Sequence, residues 1–337
     1  DAGRVPVIGG AQGVSTERDV TFLGRGGSDT TAVALCHALD GDVCELYTDV
    51  SGVFSADPRL VQTARRMSRV SFDELLEMTA TGCPKPAMRS VEYARRWGVD
   101  LHVRSAFTWE PGTWVSEEAP GMEHAVVSAV TSDDSEAKVT VSGVPDEPGI
   151  AARMFRQLAH RNINVDMIVQ NVSSHGVTDI SFTVPKSDAD EATEVCSAMA
   201  SEIGATGVSS DKAIGRVSLI GAGMKTHPGV AATMFETLAE RGINIDMIST
   251  SAIRTSCVVA ADQVELAIAA SIDAESDERT TGVSRPRKTA QSSQRSNQRS
   301  ACVASPTASA GRASTAALGR RRTSNGGATP SRTTSRA

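Results

Sequence analysis

The sequence contains no apolar run approaching the ~20 residues needed to span a bilayer, so it offers no transmembrane helix. Its six cysteines (Cys36, Cys44, Cys83, Cys196, Cys257 and Cys302) form no CxxC pair and show no ligand-like spacing. That excludes the usual zinc and disulfide frameworks and points to buried thiols in a reducing, cytoplasmic compartment. The six histidines are scattered, so none is assigned to chemistry and no residue is assigned to a resident metal. A Walker loop, GxxxxGK[ST], is absent. The start, Asp1-Ala2-Gly3-Arg4, has neither a Met nor the pattern of a signal peptide, which leads to the expectation that an N-terminal segment has been lost. Clustered Lys and Arg are missing from the body of the chain. The net charge is −6, yet residues 271–337 carry 12 Lys/Arg against 4 Asp/Glu, so the acidic excess lies in the first 270 residues. An acidic body argues against nucleic acid as a partner.

What is present is a repeat. Residues 148–168 return at 228–248: Pro148-Gly149 as Pro228-Gly229, Met154-Phe155 as Met234-Phe235, and Ile163-Asn164-Val165-Asp166-Met167-Ile168 as Ile243-Asn244-Ile245-Asp246-Met247-Ile248. Agreement at one offset marks a module used twice. Each copy reads strand, turn, helix, strand, strand. In the first copy these are Lys138–Val144, Ile150–His160, Ile163–Asn171 and Thr178–Val184, with a further helix over Asp188–Ile203. That is a ferredoxin-like β-α-β-β-α-β order. Before the repeats, apolar runs alternate with helical patterns: a buried strand at Val5–Ile8, helices at Thr30–Leu39, Phe72–Thr79 and Val91–Trp97, and strands at Val43–Tyr47 and Leu101–Val103. This alternation predicts an α/β sheet covered on both faces. A polar linker is expected over Ser116–Gly121. From about Ser276 the chain is rich in Ser, Thr, Arg, Ala and Gly, without aromatic residues or apolar periodicity, and reads as a disordered tail.

The strongest chemical signal is Gly24-Arg25-Gly26-Gly27-Ser28-Asp29-Thr30-Thr31, running into an apolar helix. Glycines let backbone N–H groups approach an anion closely, and the helix presents its positive end to the same place. Arg25 is placed to clamp a carboxylate or phosphate. After the next strand comes a polar loop, Tyr47-Thr48-Asp49-Val50-Ser51-Gly52-Val53-Phe54-Ser55-Ala56-Asp57-Pro58-Arg59, at a strand's C-terminal end, where open α/β sheets bind ligands. The bland alternatives are that Asp29 only caps its helix and that Asp57-Pro58 only forms a turn.

GRGGSDTTAVAL, YTDVSGVFSADPR, FDELLEMTATGC, RSVEYARRWGV and PGTWV, in this order, resemble the C-terminal half of an aspartate kinase catalytic domain of the amino-acid kinase fold. VPDEPGIAA, NVDMIVQNVS, SLIGAGMKTHPGVAATMF and GINIDMISTS resemble the paired ACT domains that follow it in that family. The resemblance implies a partial three-layer α/β kinase domain (1–118), a first ACT domain (124–205), a second, C-terminally incomplete ACT domain (212–272) and a disordered tail (273–337). It implies transfer of the ATP γ-phosphate to the side-chain carboxylate of L-aspartate, giving 4-phospho-L-aspartate, with Mg²⁺ bridging the phosphates, at the entry to lysine, threonine, methionine and isoleucine synthesis. Arg25, Gly26, Gly27 and Ser28 then match the aspartate-holding loop and Asp29 the carboxylate that orients the catalytic lysines. Thr48, Asp49, Phe54, Asp57 and Arg59 match the nucleotide loop.

The sequence departs from that pattern in four places. It holds no Lys-Phe-Gly-Gly-Thr-like loop. Lys85, matched to a nucleotide lysine, is displaced by one position and flanked by Pro84 and Pro86. Ser51 stands where Asp is usual. The last helix is expected to break after Ala270, as a reading-frame shift would cause. The ACT resemblance further implies binding of threonine and/or lysine, and assembly into homo- or hetero-oligomers through these domains. One wall of the effector site would be Asp146, Gly149, Ile150 and Ala151, extended by Asn164, Val165, Asp166 and Gln170. Asn244, Ile245 and Thr250 match the wall in the second copy. The alternatives are that these residues only shape the fold, and that the chain is a non-catalytic regulatory subunit or inactive fragment that binds threonine or lysine.

Overall fold

A computed structural model describes residues 5–117, 126–171 and 176–281. The tail from residue 282, residues 118–121 of the expected linker and the expected start of the first ACT domain at 124 lie outside the described residues. Among the described residues no helix is long and apolar enough to cross a membrane.

The first part opens with a hairpin of β1 (Gln12–Val14) and β2 (Val20–Phe22), followed by α1 (Gly27–Ala38) and β3 (Cys44–Thr48). The expected strand at Val5–Ile8 is irregular instead, with Val5, Val7 and Ile8 all exposed. Among the described residues no strand pairs with it, so its apolar run is not packed into a sheet. β4 (Arg69–Ser71) leads into α2 (Phe72–Ala80), which starts at a capping box: the Ser71 hydroxyl accepts from the Glu74 N–H, and the Glu74 carboxylate accepts from the Ser71 N–H. α3 (Met88–Trp97) stops at Gly98, whose φ of 65° suits glycine. β5 (Leu101–Ser105) and β6 (Thr113–Ser116) complete a sheet in the order β3-β5-β6-β4, in which β5 and β6 are antiparallel and the other two pairs parallel. In β3 and β6 buried residues alternate with more exposed ones as a one-sided sheet requires, whereas β5 also buries His102 of the outer face, stacked on Trp114. Cys44, Leu46, Leu101, Val103 and Val115 form a core with Val33, Leu75, Met78, Val91 and Ala94 of the helices. The opposite face carries Glu45, Tyr47, Arg104 and Trp114, with Tyr47 and Trp114 exposed. Helices therefore cover one face of this sheet among the described residues.

The repeats are interleaved. β7 (Ala129–Asp133) is followed by β8 (Glu136–Pro145), α4 (Ile150–His160), β9 (Ile168–Gln170), β10 (Val177–Pro185), α5 (Ala189–Ile203) and β11 (Gly207–Asp211). β8 to β11 pair in the order β11-β8-β10-β9, the first ferredoxin-like sheet. Then come β12 (Ile214–Ile220), a 3₁₀ turn (Ala222–Lys225), α6 (Val230–Glu240), β13 (Met247–Thr250), β14 (Arg254–Ala260), a second 3₁₀ turn (Ala261–Gln263) and α7 (Val264–Thr281). The second sheet runs β13-β14-β12-β7. Its fourth strand is β7, which precedes the whole first repeat and pairs with β12 from Arg216↔Asp133 to Ile220↔Ala129. All seven residues of β12 are buried, so this strand needs a partner on each edge. Residues 129–133 thus pair in the sheet of the second repeat and 207–211 in that of the first. The second repeat's last helix does not break at Ala270 but runs to Thr281.

Matched core positions carry the repeat. Met154 and Leu158 of the first copy, and Met234 and Leu238 of the second, are 0–1% exposed, each contributing about 1.5–3 kcal/mol of burial. Asn162 turns the chain after α4 with φ 57°, and the expected strand at Ile163–Asn171 shortens to Ile168–Gln170. Cys36, Cys44, Cys83, Cys196 and Cys257 are free thiols. Burial pushes Cys44 and Cys257 up to about 12, and Cys196 up to about 11, so these three are inert.

Candidate active site

The glycine loop bends because Gly24 and Gly26 sit at φ 80° and 74°. Gly26 is required for a second reason: a Cβ there would lie 2.4 Å from the Cβ of Ala87. The loop therefore rests directly on the segment 82–87, which carries Lys85. Asp29, in the first turn of α1, accepts a hydrogen bond from the Ala87 N–H at 3.1 Å. Its carboxylate thus holds the backbone two residues past Lys85 rather than a lysine side chain.

Lys85 pairs with the carboxylate of Asp49 across the gap to the nucleotide loop. Asp49 also accepts from the Thr48 hydroxyl at 2.8 Å, and the Lys85 bond, then the Thr48 bond, holds its carboxyl below the usual range. Asp57 grips Arg59: Nε donates to Oδ1 at 3.0 Å, Nη2 to Oδ2 at 2.6 Å, and the Arg59 N–H to Oδ1 at 2.9 Å. The guanidinium keeps Asp57 low as well. Arg25, Asp49, Phe54, Asp57, Arg59 and Lys85 line one cavity of about 470 Å³, a size typical of small-molecule sites. Thr48 reaches it through Asp49. Gly26, Gly27, Ser28 and Asp29 are not on its wall; they build the loop and the support behind it. Despite its displaced position and flanking prolines, Lys85 does reach this cavity.

Part of the wall comes from the second repeat: Val130, Thr131 and Ser132 of β7, and Ile268 of α7. Sequence reasoning missed these four. No local motif marks them, since they arrive through the pairing of β7 with β12. The nucleotide loop is packed on the same module, with Ala56 and Val61 buried in the core of the second repeat. Gly82, also missed, had a readable signal in its place just past the end of α2.

The expected effector residues fall into two groups. Gly149, at φ 95° with open space where a Cβ would point, starts α4, and Ile150 is buried while Ala151 is half-buried beside it. Asp146 is exposed at this end, its N–H bonded to the Gly176 carbonyl at 3.0 Å. Gln170, paired with Ile180, lies toward the same end. Asn164, Val165 and Asp166 follow the far end of α4, where the Asp166 N–H bonds the Thr183 carbonyl. Along β10 the Asp146 end at Val177 is six residues, roughly 20 Å at about 3.3 Å per residue, from Thr183, where Asp166 bonds, while Gln170 opposite Ile180 is three residues, roughly 10 Å, from it. Asn244 and Ile245 occupy the equivalent far end of the second copy, and the Lys138 ammonium there donates to the Asp246 carboxylate at 2.8 Å. Thr250, paired with Thr255, closes β13 at the end where β12 gives way to its turn. The Asp166 carboxylate is already taken by Arg216, which is buried and also reaches Asp133 at 3.1 Å, Glu136 at 3.4 Å and the Ala80 carbonyl at 3.1 Å.

Residues 1–105 match the amino acid kinase family, and residues 139–199 and 217–272 match the ACT domain. An aspartokinase of Mycolicibacterium smegmatis is 53% identical over 276 residues, which are 80% of this chain and 65% of that protein. The solved structure of E. coli aspartokinase III with aspartate and ADP superposes with a TM-score of 0.66 at 25% identity, over 79% of this chain and 59% of that one. E. coli aspartokinase III with lysine and aspartate gives a TM-score of 0.62 at 26% identity, over 80% and 59%. The chain therefore spans about 65% of the length of the curated relatives it matches.

Proposed function

The chain belongs to the aspartokinase family, and we propose that it performs that family's reaction: transfer of the ATP γ-phosphate to the side-chain carboxylate of L-aspartate, giving 4-phospho-L-aspartate for amino-acid synthesis. The observation that carries this reading is the convergence of the glycine-loop Arg25, the nucleotide-loop Asp49, Phe54, Asp57 and Arg59, and Lys85 on one cavity.

Phosphoryl transfer needs positioning and charge neutralisation more than covalent help. A carboxylate oxygen of aspartate forms the new bond to Pγ as the bond to the β–γ bridging oxygen breaks, and that oxygen leaves with ADP. Arg25 and Lys85 both supply positive charge at the cavity wall, and Lys85 exchanges Asp49 for a phosphate oxygen as the nucleotide enters. Phe54 offers an apolar surface, while Asp57 keeps Arg59 extended along the wall. Arg25, the residue of the glycine loop on the cavity wall, takes a carboxylate of aspartate. Mg²⁺ fits as a nucleotide-borne ion: no cluster of three or more His, Cys, Asp or Glu occurs among the described residues, but Asp49, 64% exposed, offers the one carboxylate that Mg²⁺ needs beside phosphates. When bound, it neutralises phosphate charge.

In this reading threonine and/or lysine binds at the turn end of the first repeat, with its carboxylate on the N–H groups that open α4. Asp146 and Gln170 flank it. The gap of roughly 20 Å from Asp146 to the Asn164 end supports a site completed by a second chain, and hence an oligomer joined through the ACT domains.

Two measurements test the catalytic reading: binding of ADP with Mg²⁺ by calorimetry, and formation of aspartyl hydroxamate from ATP, Mg²⁺, aspartate and hydroxylamine. The expected result is binding that Lys85→Met weakens about tenfold, ~1.4 kcal/mol, and hydroxamate formation that the same change suppresses. A folded chain that binds no nucleotide refutes the reading. One that binds ADP and forms no hydroxamate, yet is stabilised by threonine or lysine, is a regulatory chain.

A further inference from the structure

The lysine-bearing segment 82–87 is anchored at both ends. Asp29 holds the far end through the Ala87 N–H. The near end is held by the second repeat. The hydroxyls of Thr81 and Thr131 lie 2.6 Å apart in a buried pair, and Arg216 donates to the Ala80 carbonyl at 3.1 Å. Gly82, at φ 118°, is pressed so closely onto β7 that a Cβ would stand 1.8 Å from the Ser132 carbonyl oxygen. That obstacle is backbone within a paired strand, which cannot swing aside as a side chain can. The residue before Thr131 holds the opposite side of the cavity: the Val130 N–H donates to the Ser55 carbonyl at 2.7 Å, between Phe54 and Asp57. Three consecutive residues of one strand therefore touch both sides, Val130 the nucleotide loop and Thr131-Ser132 the start of the lysine segment. β7 is itself fixed by five register pairs to β12.

We propose that strand β7 of the second repeat sets the gap between the nucleotide loop and Lys85, with Thr131 and Ser132 as positioning residues for nucleotide binding. They act through Thr81 and Gly82 and transfer no proton or phosphate. The inference rests on the cavity being a nucleotide site.

The test measures the ADP dissociation constant, with Mg²⁺, for the full chain and for Thr131→Val, Thr131→Ser and Gly82→Ala, with thermal melts alongside. Thr131→Val keeps the shape and removes the hydroxyl; Thr81 still donates to the Glu77 carbonyl at 2.7 Å, so no buried donor is orphaned. A dissociation constant raised about threefold by Thr131→Val, restored by Thr131→Ser, and raised tenfold or more by Gly82→Ala is expected. A variant that loses thermal stability but keeps an unaltered dissociation constant shows Thr131 to be merely structural and overturns the proposal. Should Gly82→Ala fail to fold, the Thr131 pair decides alone. If the unaltered chain binds no ADP, the reading of the cavity falls, and this inference with it.

Discussion

Replacing Arg216 with Met is expected to be among the costliest single changes outside the cavity. Arg216 is 2% exposed and faces three carboxylates, Asp133, Glu136 and Asp166, whose side chains are 19%, 13% and 39% exposed. Methionine fills much of the volume and leaves those charges without a counter-ion. Breaking a buried pair from one side costs about 3–5 kcal/mol, and the exposure of Asp166 places the expectation near the lower end, about 3 kcal/mol. At about 2.1 cal/mol/K of unfolding entropy per residue over roughly 265 folded residues, one kcal/mol shifts the melting midpoint by roughly 2 °C, so it falls by roughly 5 °C. Urea unfolding followed by circular dichroism measures the free energy. A second arm identifies the cause. Burial, opposed by Arg216 and reinforced by Asp166 and Asp133, raises the carboxyl of Glu136 above its ordinary value. A raised carboxyl stabilises the fold fully below its unfolded pKa and loses that contribution as pH rises through the folded one. Glu136→Gln should therefore stabilise the chain near neutral pH, lose that advantage at acid pH, and recover part of the Arg216→Met loss. A cost below about 1 kcal/mol, or no recovery from Glu136→Gln in the Arg216→Met background, would refute the reasoning.

Two further outcomes follow from the packing. The Glu74 carboxylate is buried, a condition that would raise it, but bonds from the Ser128 hydroxyl at 2.5 Å, the Ala222 N–H at 3.2 Å, and the hydroxyl and N–H of Ser71 hold it below its ordinary value. Its stabilisation is present above the ordinary glutamate pKa of about 4.3 and is lost as pH falls through the folded value. Glu74→Gln, which turns an amide toward two donors, should cost about 2–4 kcal/mol at neutral pH and flatten the acid limb of a stability–pH curve. Leu158→Ala and Leu238→Ala, at equivalent sites of the two repeats, should each cost about 2–5 kcal/mol. Only the second should also weaken ADP binding, because Ala56 and Val61 of the nucleotide loop share its core; equal effects on binding would contradict that coupling.

Much of this was legible in the sequence because it is local. Helix α2 begins where Ser71 and Glu74 form a capping box, and α3 ends where Gly98 permits a left-handed turn. Met154, Leu158, Met234 and Leu238 are buried at the spacing that helical periodicity requires. The glycine loop, the nucleotide loop and Lys85 were readable as motifs, and they do meet. Thr131 and Ser132 were not, since neither belongs to a motif and their strand reaches the cavity only through the pairing of β7 with β12. Asp166 was read as a binding residue because its neighbours match a family pattern; its partner Arg216 lies fifty residues away, at the position where the first repeat has Glu136.

The sequence by itself determined the main helices, the duplication and the chemical character of the loops, since propensity, capping and periodicity act over a few residues. The tertiary structure alone decided that β7 crosses past an entire repeat to complete the second sheet. Strand pairing is a non-local choice: β12 is buried along its length and must satisfy both edges, and the available partner lies before the first repeat. That pairing gave the second repeat a share of the cavity wall. No pattern of residues along the chain encodes either result.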